Sequence, residues 1–263
     1  MSFQTILVAD SSVAGALVRT ITLNRPERRN ALSPEMQSEL IIAMELATAQ
    51  RCRILVLTGA GDAFCSGLDL AVLRTMTERS ETDHRAHASN AARMFRTLYE
   101  LPMPTIAAVH GPAIAGGTGL ATICDFTLAT PAAKFGFTEA RVGFVPALVS
   151  AFAVLQLGDK RARDLLLTAR IFGADDALRL GLVNEVLAPE EMSARIQSLA
   201  ETLVANSQQS LAATKRLLVA QNKAWLDTAI AAALEENAAA RSTHDFKEGV
   251  AAFLDKRKPE WSE

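Results

Sequence analysis

Two small-residue loops and one carboxylate carry the chemistry legible in this chain. Phe64-Cys65-Ser66-Gly67-Leu68-Asp69 follows the apolar run Ile54-Leu55-Val56-Leu57. His110-Gly111-Pro112-Ala113-Ile114-Ala115-Gly116-Gly117-Thr118-Gly119 follows Thr105-Ile106-Ala107-Ala108-Val109. Glycine at such points lets the backbone approach a ligand and turn its N–H groups toward it. Two such loops can aim two donors at one oxygen, the arrangement that stabilises an oxyanion; either alone also reads as an ordinary glycine turn. Glu139 lies in the apolar stretch Lys134-Phe135-Gly136-Phe137-Thr138-Glu139-Ala140-Arg141-Val142-Gly143-Phe144. A carboxyl near Phe137 and Phe144 is desolvated, which raises its pKa toward a useful acid–base value. The plainer alternative is a surface carboxylate paired with Arg141.

The remaining reactive side chains offer less. Counted from Gly117, the second loop reads G-T-G-L-A-T, where a dinucleotide fingerprint wants Gly or Ala at Thr122, and it lies mid-chain rather than in an opening βαβ unit. There is no GxxxxGKS or GxxxxGKT phosphate loop, and Ser66 is not in a GxSxG nucleophile elbow. His84 and His87 sit three apart among Glu78, Arg79, Glu81, Asp83 and Arg85 and could share a helix face. No HExxH or carboxylate-rich set accompanies them, so this stretch reads as a solvated, mobile surface segment and no metal site is expected. His110 reads as ordering its turn and His244 as part of a polar tail. Asp125 reads as a structural turn residue, and Asp69 as the cap of a helix after the first loop.

The elements that must position these groups follow from apolar periodicity. Ile6–Val8 and Leu17–Leu23 read as strands with a hairpin around Ala14-Gly15. Ser33 as N-cap and Pro34 as first residue start a helix with the face Met36, Leu40, Met44 and Ala47. Strands at Ile54–Thr58, Thr105–Val109 and Phe126–Ala129 alternate with helices near Ala91–Glu100 and Gly117–Ile123, an α/β order. Helices near Asp159–Thr168 and Ala174–Leu180 follow, the latter ended by Gly181. After Val183–Leu187 three Ala-rich helical patterns run to the end: Glu190–Ala205, Leu211–Val219 and Trp225–Arg241. They lie outside the alternating core, which suits either packing on a neighbouring copy or a self-contained helical cap.

Composition narrows the function classes. The chain has 263 residues, 49% of them hydrophobic, enough for a full core built from Ala, Leu, Val and Ile because aromatics are only 5%. Lys plus Arg (27) nearly balance Asp plus Glu (29), so there is no basic footprint for nucleic acid or for a membrane surface. Three widely spaced cysteines (Cys52, Cys65, Cys124) form neither a disulfide framework nor a zinc pattern, which fits a cytoplasmic setting. The N-terminus lacks a signal-peptide pattern. The longest uncharged stretch, Gly143 to Gly158, is too short and too interrupted to span a bilayer.

Taken in order, these residues resemble the crotonase superfamily, the enoyl-CoA hydratase/isomerase family, over essentially the whole chain. The resemblance is carried by Leu23-Asn24-Arg25-Pro26 with Asn30-Ala31-Leu32, the Ala63–Leu70 loop, His110-Gly111 with Ala115-Gly116-Gly117, and Cys124-Asp125. It continues through Phe135–Gly143, Gly181-Leu182-Val183, Glu248-Gly249 and Ala252–Arg257. It implies a crotonase spiral of ββα units over residues 1–204 and a helical oligomerisation region over 205–263, assembled as a trimer or dimer of trimers. It implies an acyl-CoA thioester substrate and no cofactor beyond the CoA carried by that substrate. By position, the thioester oxygen sits between the N–H groups of Leu68 and Gly116, and Glu139 is the acid–base. CoA lies along Ser66, Gly67, Leu68, Asp69, Leu70 and Ala71 and beside Gly116 and Gly117, with Arg28 and Arg29 nearby. Phe253 and Lys256 match positions that reach the adenine end, often across a subunit boundary.

One departure qualifies the activity. Hydratases of the family hold one water between two glutamates; here the second is Glu139 and the first falls on Gly119, which can do no acid–base work. Hydration of a 2-enoyl-CoA by one glutamate is the leading expectation, supported by the likeness of Phe137–Ala147 to methylglutaconyl-CoA hydratase-like sequences. A Δ3,Δ2-enoyl-CoA isomerase, which needs a single carboxylate, is the runner-up. A non-catalytic acyl-CoA-binding scaffold is the alternative of another class. Ala147 stands where dienoyl-CoA isomerases and haloaroyl-CoA dehalogenases carry Asp, so neither chemistry is expected.

Overall fold

The computed structural model describes residues 2–69, 72, 75 and 80–262. A six-stranded sheet runs β1 (Ile6–Val13), β2 (Ala16–Leu23), β3 (Ile54–Gly59), β4 (Thr105–Val109), β6 (Phe126–Ala129), β9 (Glu185–Val186), in that spatial order. β1 and β2 form the antiparallel hairpin expected around Ala14-Gly15, and every later neighbour is parallel. A smaller sheet joins β5 (Pro112–Ile114), β7 (Lys134–Gly136) and β8 (Phe172–Gly173). The parallel strands are apolar on both faces because both are covered. In β3, Leu55 and Leu57 face the main core while Ile54 and Val56 face a second cluster with Leu199, Ala200 and Leu203, the two-residue alternation of a strand.

Helices among the described residues include α1 (Pro34–Ala49), α2 (Glu81–Glu100), α3 (Gly116–Ile123), α4 (Ala147–Leu157), α5 (Asp159–Thr168), α6 (Ala174–Leu180), α7 (Met192–Ala205), α8 (Gln208–Ala240) and α9 (His244–Leu254). α1 starts as expected: the Ser33 side chain accepts a hydrogen bond from Met36 N, and Pro34 stands first. None of the described helices is long and apolar enough to cross a membrane.

Three expectations need correction. The helix predicted near Ala91 begins ten residues earlier, at Glu81, because Ser80 and Asp83 form a reciprocal capping box. His84 and His87 are consequently not on a solvated segment; both are buried, on the stripe that continues through Ala88, Ala92 and Phe95. The patterns at Leu211–Val219 and Trp225–Arg241 are one 33-residue helix, α8. The polar stretch between them stays helical, with Asn222 Nδ2 donating to Leu218 O and to Tyr99 Oη of α2. Last, the polar tail around His244 is helix α9, capped by Thr243.

The C-terminal helices do not form a body apart from the core. α7 covers the outer face of the large sheet. The second half of α8 packs on α2 and α4 and contributes Leu226, Ile230 and Ala233 to the main core. Lys215 Nζ donates to Met103 O and pairs with Asp125, whose Oδ2 also accepts from Thr105 N and Oγ1. Asp125 thus has the structural role expected of it, joining β4, β6 and α8.

Candidate active site

The two glycine loops form one hydrogen-bonded unit. Cys65 pairs with Ala113 as a parallel bridge, Cys65 N donating to Pro112 O and Ile114 N to Cys65 O. The approach is so close that a Cβ on Gly117 would lie 2.1 Å from Cys65 O, so only glycine fits there. His110 Nε2 lies 2.8 Å from Gly61 O, fastening the second loop to the turn before the first, the ordering role expected of it.

The Leu23–Leu32 motif holds the first loop from the other side. Asn30 is fully buried; its Oδ1 accepts from Arg25 N, and its Nδ2 donates to Ala60 O and Ala63 O. Arg25 pairs with Asp69 at 2.7 Å and also donates to Ala31 O. Asp69 is therefore a buried ion-pair partner; the helix it is expected to cap lies outside the described residues.

These constraints aim two N–H groups. Leu32 donates to Gly67 O and accepts from Asp69 N, so in this parallel bridge the N–H of Leu68 points away from Leu32. Gly116 is the first residue of α3 and its N–H has no intrahelical acceptor. Ala115 just before it has φ 53° and ψ −121°, a conformation sparsely populated by residues other than glycine, of the kind that collects at functional sites. It turns the following peptide.

Leu68 and Gly116 line one cavity of about 70 Å³ together with Glu139. The remaining wall is largely apolar, with Met94, Phe95, Leu148 and Val149. Glu139 opens the 3-10 turn Glu139–Val142, and its Oε2 is buried without a hydrogen-bond partner. Burial pushes its carboxyl up to about 7 from the ordinary value of 4.5. The alternative pairing with Arg141 is not formed among the described ion pairs. α9 braces this turn: a Cβ on Gly143, whose φ is +64°, would lie 2.0 Å from Asp245 O, and one on Gly249 would lie 2.4 Å from Val142 C. Phe246 and Val250 of α9 pack on Leu68 and Phe144, so one helix supports both the Leu68 loop and the Glu139 turn.

The position of the missing first glutamate is not an open notch. A Cβ on Gly119 would lie 2.7 Å from Val149 Cγ1 and 3.2 Å from Phe95 Cε1. Apolar side chains occupy the place a second carboxylate would need. Burial pushes the Cys65 thiol up to about 12, so it stays protonated and is no nucleophile.

Other predicted residues are placed as follows. Ser66 is half-buried and held against the Arg28–Arg29 backbone, its N–H donating to Arg29 O. Arg28 and Arg29 are exposed beside the first loop. Gly67 and Gly117 are buried at the junction of the loops. Leu70 and Ala71 lie outside the described residues. Phe253 and Lys256 are exposed at the far end of α9 and do not line the cavity of their own chain. Sequence reasoning gives no site role to several lining residues, among them His87, Met94, Phe95, Asn237 and Arg241. Asn237 and the C-cap residue Arg241 continue the α8 face Leu226, Ile230, Ala233 at helical spacing; two polar residues ending an apolar stripe are the available signal.

Comparison with known proteins bears on the family and the fold. A family model for enoyl-CoA hydratase/isomerase matches residues 14–263. A Thermus thermophilus protein is 44% identical over 243 residues, covering 92% of this chain and 96% of its own. A crotonyl-CoA hydratase of Syntrophomonas wolfei is 33% identical over 239 residues, covering 90% and 91%. A crystal structure of an enoyl-CoA hydratase/isomerase from Xanthobacter autotrophicus Py2 superposes with a TM-score of 0.87 at 30% identity, covering all of both chains.

Proposed function

The chain belongs to the enoyl-CoA hydratase/isomerase family, and from that premise we propose that it hydrates a 2-enoyl-CoA to the 3-hydroxyacyl-CoA with Glu139 as sole acid–base. The observation that carries this reading is the meeting of Leu68, Gly116 and a desolvated Glu139 in one cavity. Water attacks C3 while ionised Glu139 takes its proton. Negative charge moves to the thioester oxygen, where each of the two N–H donors contributes about 3 kcal/mol. Glu139 then returns the proton to C2, so the product gains one water and the carboxylate is regenerated. The positive end of α3 adds to the field at the oxygen.

The roles of the surrounding residues extend the reading. CoA lies along Ser66–Ala71 and Gly116–Gly117, with Arg28 and Arg29 exposed where its phosphates leave the site. Phe253 and Lys256, remote from their own cavity, suit the adenine end of CoA bound to a neighbouring copy. This points to a homotrimer or a dimer of trimers. The chemistry uses no cofactor beyond the CoA of the substrate, and three buried unpaired cysteines suit a reducing cytoplasm.

The apolar filling around Gly119 supports a second reading, double-bond isomerisation. Glu139 takes a proton from C2 of a 3-enoyl-CoA and returns it at C4, and no bound water is needed. Crotonyl-CoA separates the two. Loss of the conjugated-thioester absorbance with a product heavier by one water is expected of the hydratase. No loss, together with conversion of a 3-enoyl-CoA to the conjugated isomer, would replace it with the isomerase.

A further inference from the structure

The cavity ends on a buried cation that forms no ion pair among the described residues. Arg241 is 2% exposed, and its Nε and Nη1 have no hydrogen-bond partner. Among the described residues its side-chain contact of that kind is Nη2 at 3.4 Å from His87 Nδ1, and its guanidinium lies 5.5 Å from the Phe144 ring centroid. No carboxylate among the described residues, Glu139 included, forms an ion pair with it. One turn earlier on α8, Asn237 is 5% exposed, and its Oδ1 is also without a partner. Its amide can present N–H or C=O to the cavity.

A buried guanidinium lacking an anion is costly, and its planar fork matches a carboxylate held by two N–H groups. Arg241 and Asn237 line the same cavity as Leu68, Gly116 and Glu139. They are enclosed, whereas Arg28 and Arg29 by the CoA loop are exposed. The anion that reaches Arg241 is therefore part of the acyl group rather than a CoA phosphate.

We propose that the substrate is an enoyl-CoA whose acyl chain carries a carboxylate, received by Arg241 with Asn237 beside it. This rests on the acyl-CoA reading of the site but not on which reaction follows. The test is calorimetric binding of glutaryl-CoA and adipyl-CoA, which are saturated and do not turn over. Each is compared with the isostere bearing an isopropyl group in place of the carboxylate. The wild-type protein should bind at least one of the acids about 100-fold more tightly than its isostere, and in Arg241→Met that ratio should fall close to one. Equal affinity for acid and isostere in the wild type overturns the proposal, as does an Arg241→Met variant that weakens both alike. The wild-type comparison decides even if the variant fails to fold. A carboxylate preference without hydration of any enoyl-CoA would sink the hydratase reading and leave this one standing; no binding of any CoA thioester would sink both.

Discussion

In the proposed hydration Glu139 takes a proton in one half of the reaction and gives it back in the other. A carboxyl raised to about 7 by burial is populated in both forms near neutral pH, which serves both halves. The same burial has a stability consequence. Folded Glu139 keeps its proton to about pH 7 while the unfolded chain releases it near 4.5. The folded state is favoured by the bound proton below 4.5, and that advantage is lost as pH rises to 7. At pH 8 the ionised, buried carboxylate costs the fold about 3 kcal/mol. Glu139→Gln should therefore be more stable than the wild type by about that amount at pH 8. The difference should vanish below pH 4.5, as read by urea unfolding across the pH range. A constant difference would show that the carboxyl is not desolvated. Glu139 was legible in the sequence because Phe137 and Phe144 flank it within five residues. Arg241 was not, since a hundred residues separate it from Glu139 and only the end of a helix brings them together.

At the scale of elements, the donor loop is held by hydrogen bonds from a motif thirty-odd residues upstream. Asn30 supplies two of them, to Ala60 O and Ala63 O, while its Oδ1 accepts a third from Arg25 N within the motif; it is itself at φ 55°, a conformation Asn tolerates better than Ala. Asn30→Ala should lower unfolding free energy by about 3 kcal/mol. It should also lower kcat more than it raises KM, because the N–H of Leu68 loses its fixed direction; unfolding titration and steady-state kinetics check both. Local signals made much of this architecture legible: Ser33-Pro34 for α1, Ala14-Gly15 for the hairpin, Gly181 for the end of α6. α2 began earlier than read because Asp83 and Arg85 hide a buried stripe whose first members are histidines. α8 was read as two helices because Gln221, Asn222 and Lys223 interrupt its apolar pattern, although in the fold Asn222 bonds within the helix and to Tyr99. α9 is hard to read because His244, Asp245, Lys247 and Glu248 surround its short buried side, Phe246, Gly249, Val250 and Ala252, which packs beside the Glu139 turn.

For the whole molecule, residues 205–263 serve the site and leave a surface uncovered. The second half of α8 completes the core and supplies Asn237, with Arg241 as its C-cap residue. Its first half exposes Leu217 at 64% and Leu218 at 53%, with Trp225 at 43%. An exposed apolar patch of this kind marks an interaction surface, and a second copy of the chain is its proposed occupant. Sedimentation should give a trimer or a multiple of it, and Leu217→Glu with Leu218→Glu should shift the population toward monomer. A wild-type monomer would contradict the assembly and leave Phe253 and Lys256 without a site to reach.

The central claim is that one carboxylate does all the proton transfer at an oxyanion site formed by Leu68 and Gly116. Glu139→Gln tests it most directly, with turnover of crotonyl-CoA measured beside binding of saturated butyryl-CoA. The account predicts unchanged binding and loss of at least about 1,000-fold in kcat. A variant that hydrates crotonyl-CoA at the wild-type rate would contradict it.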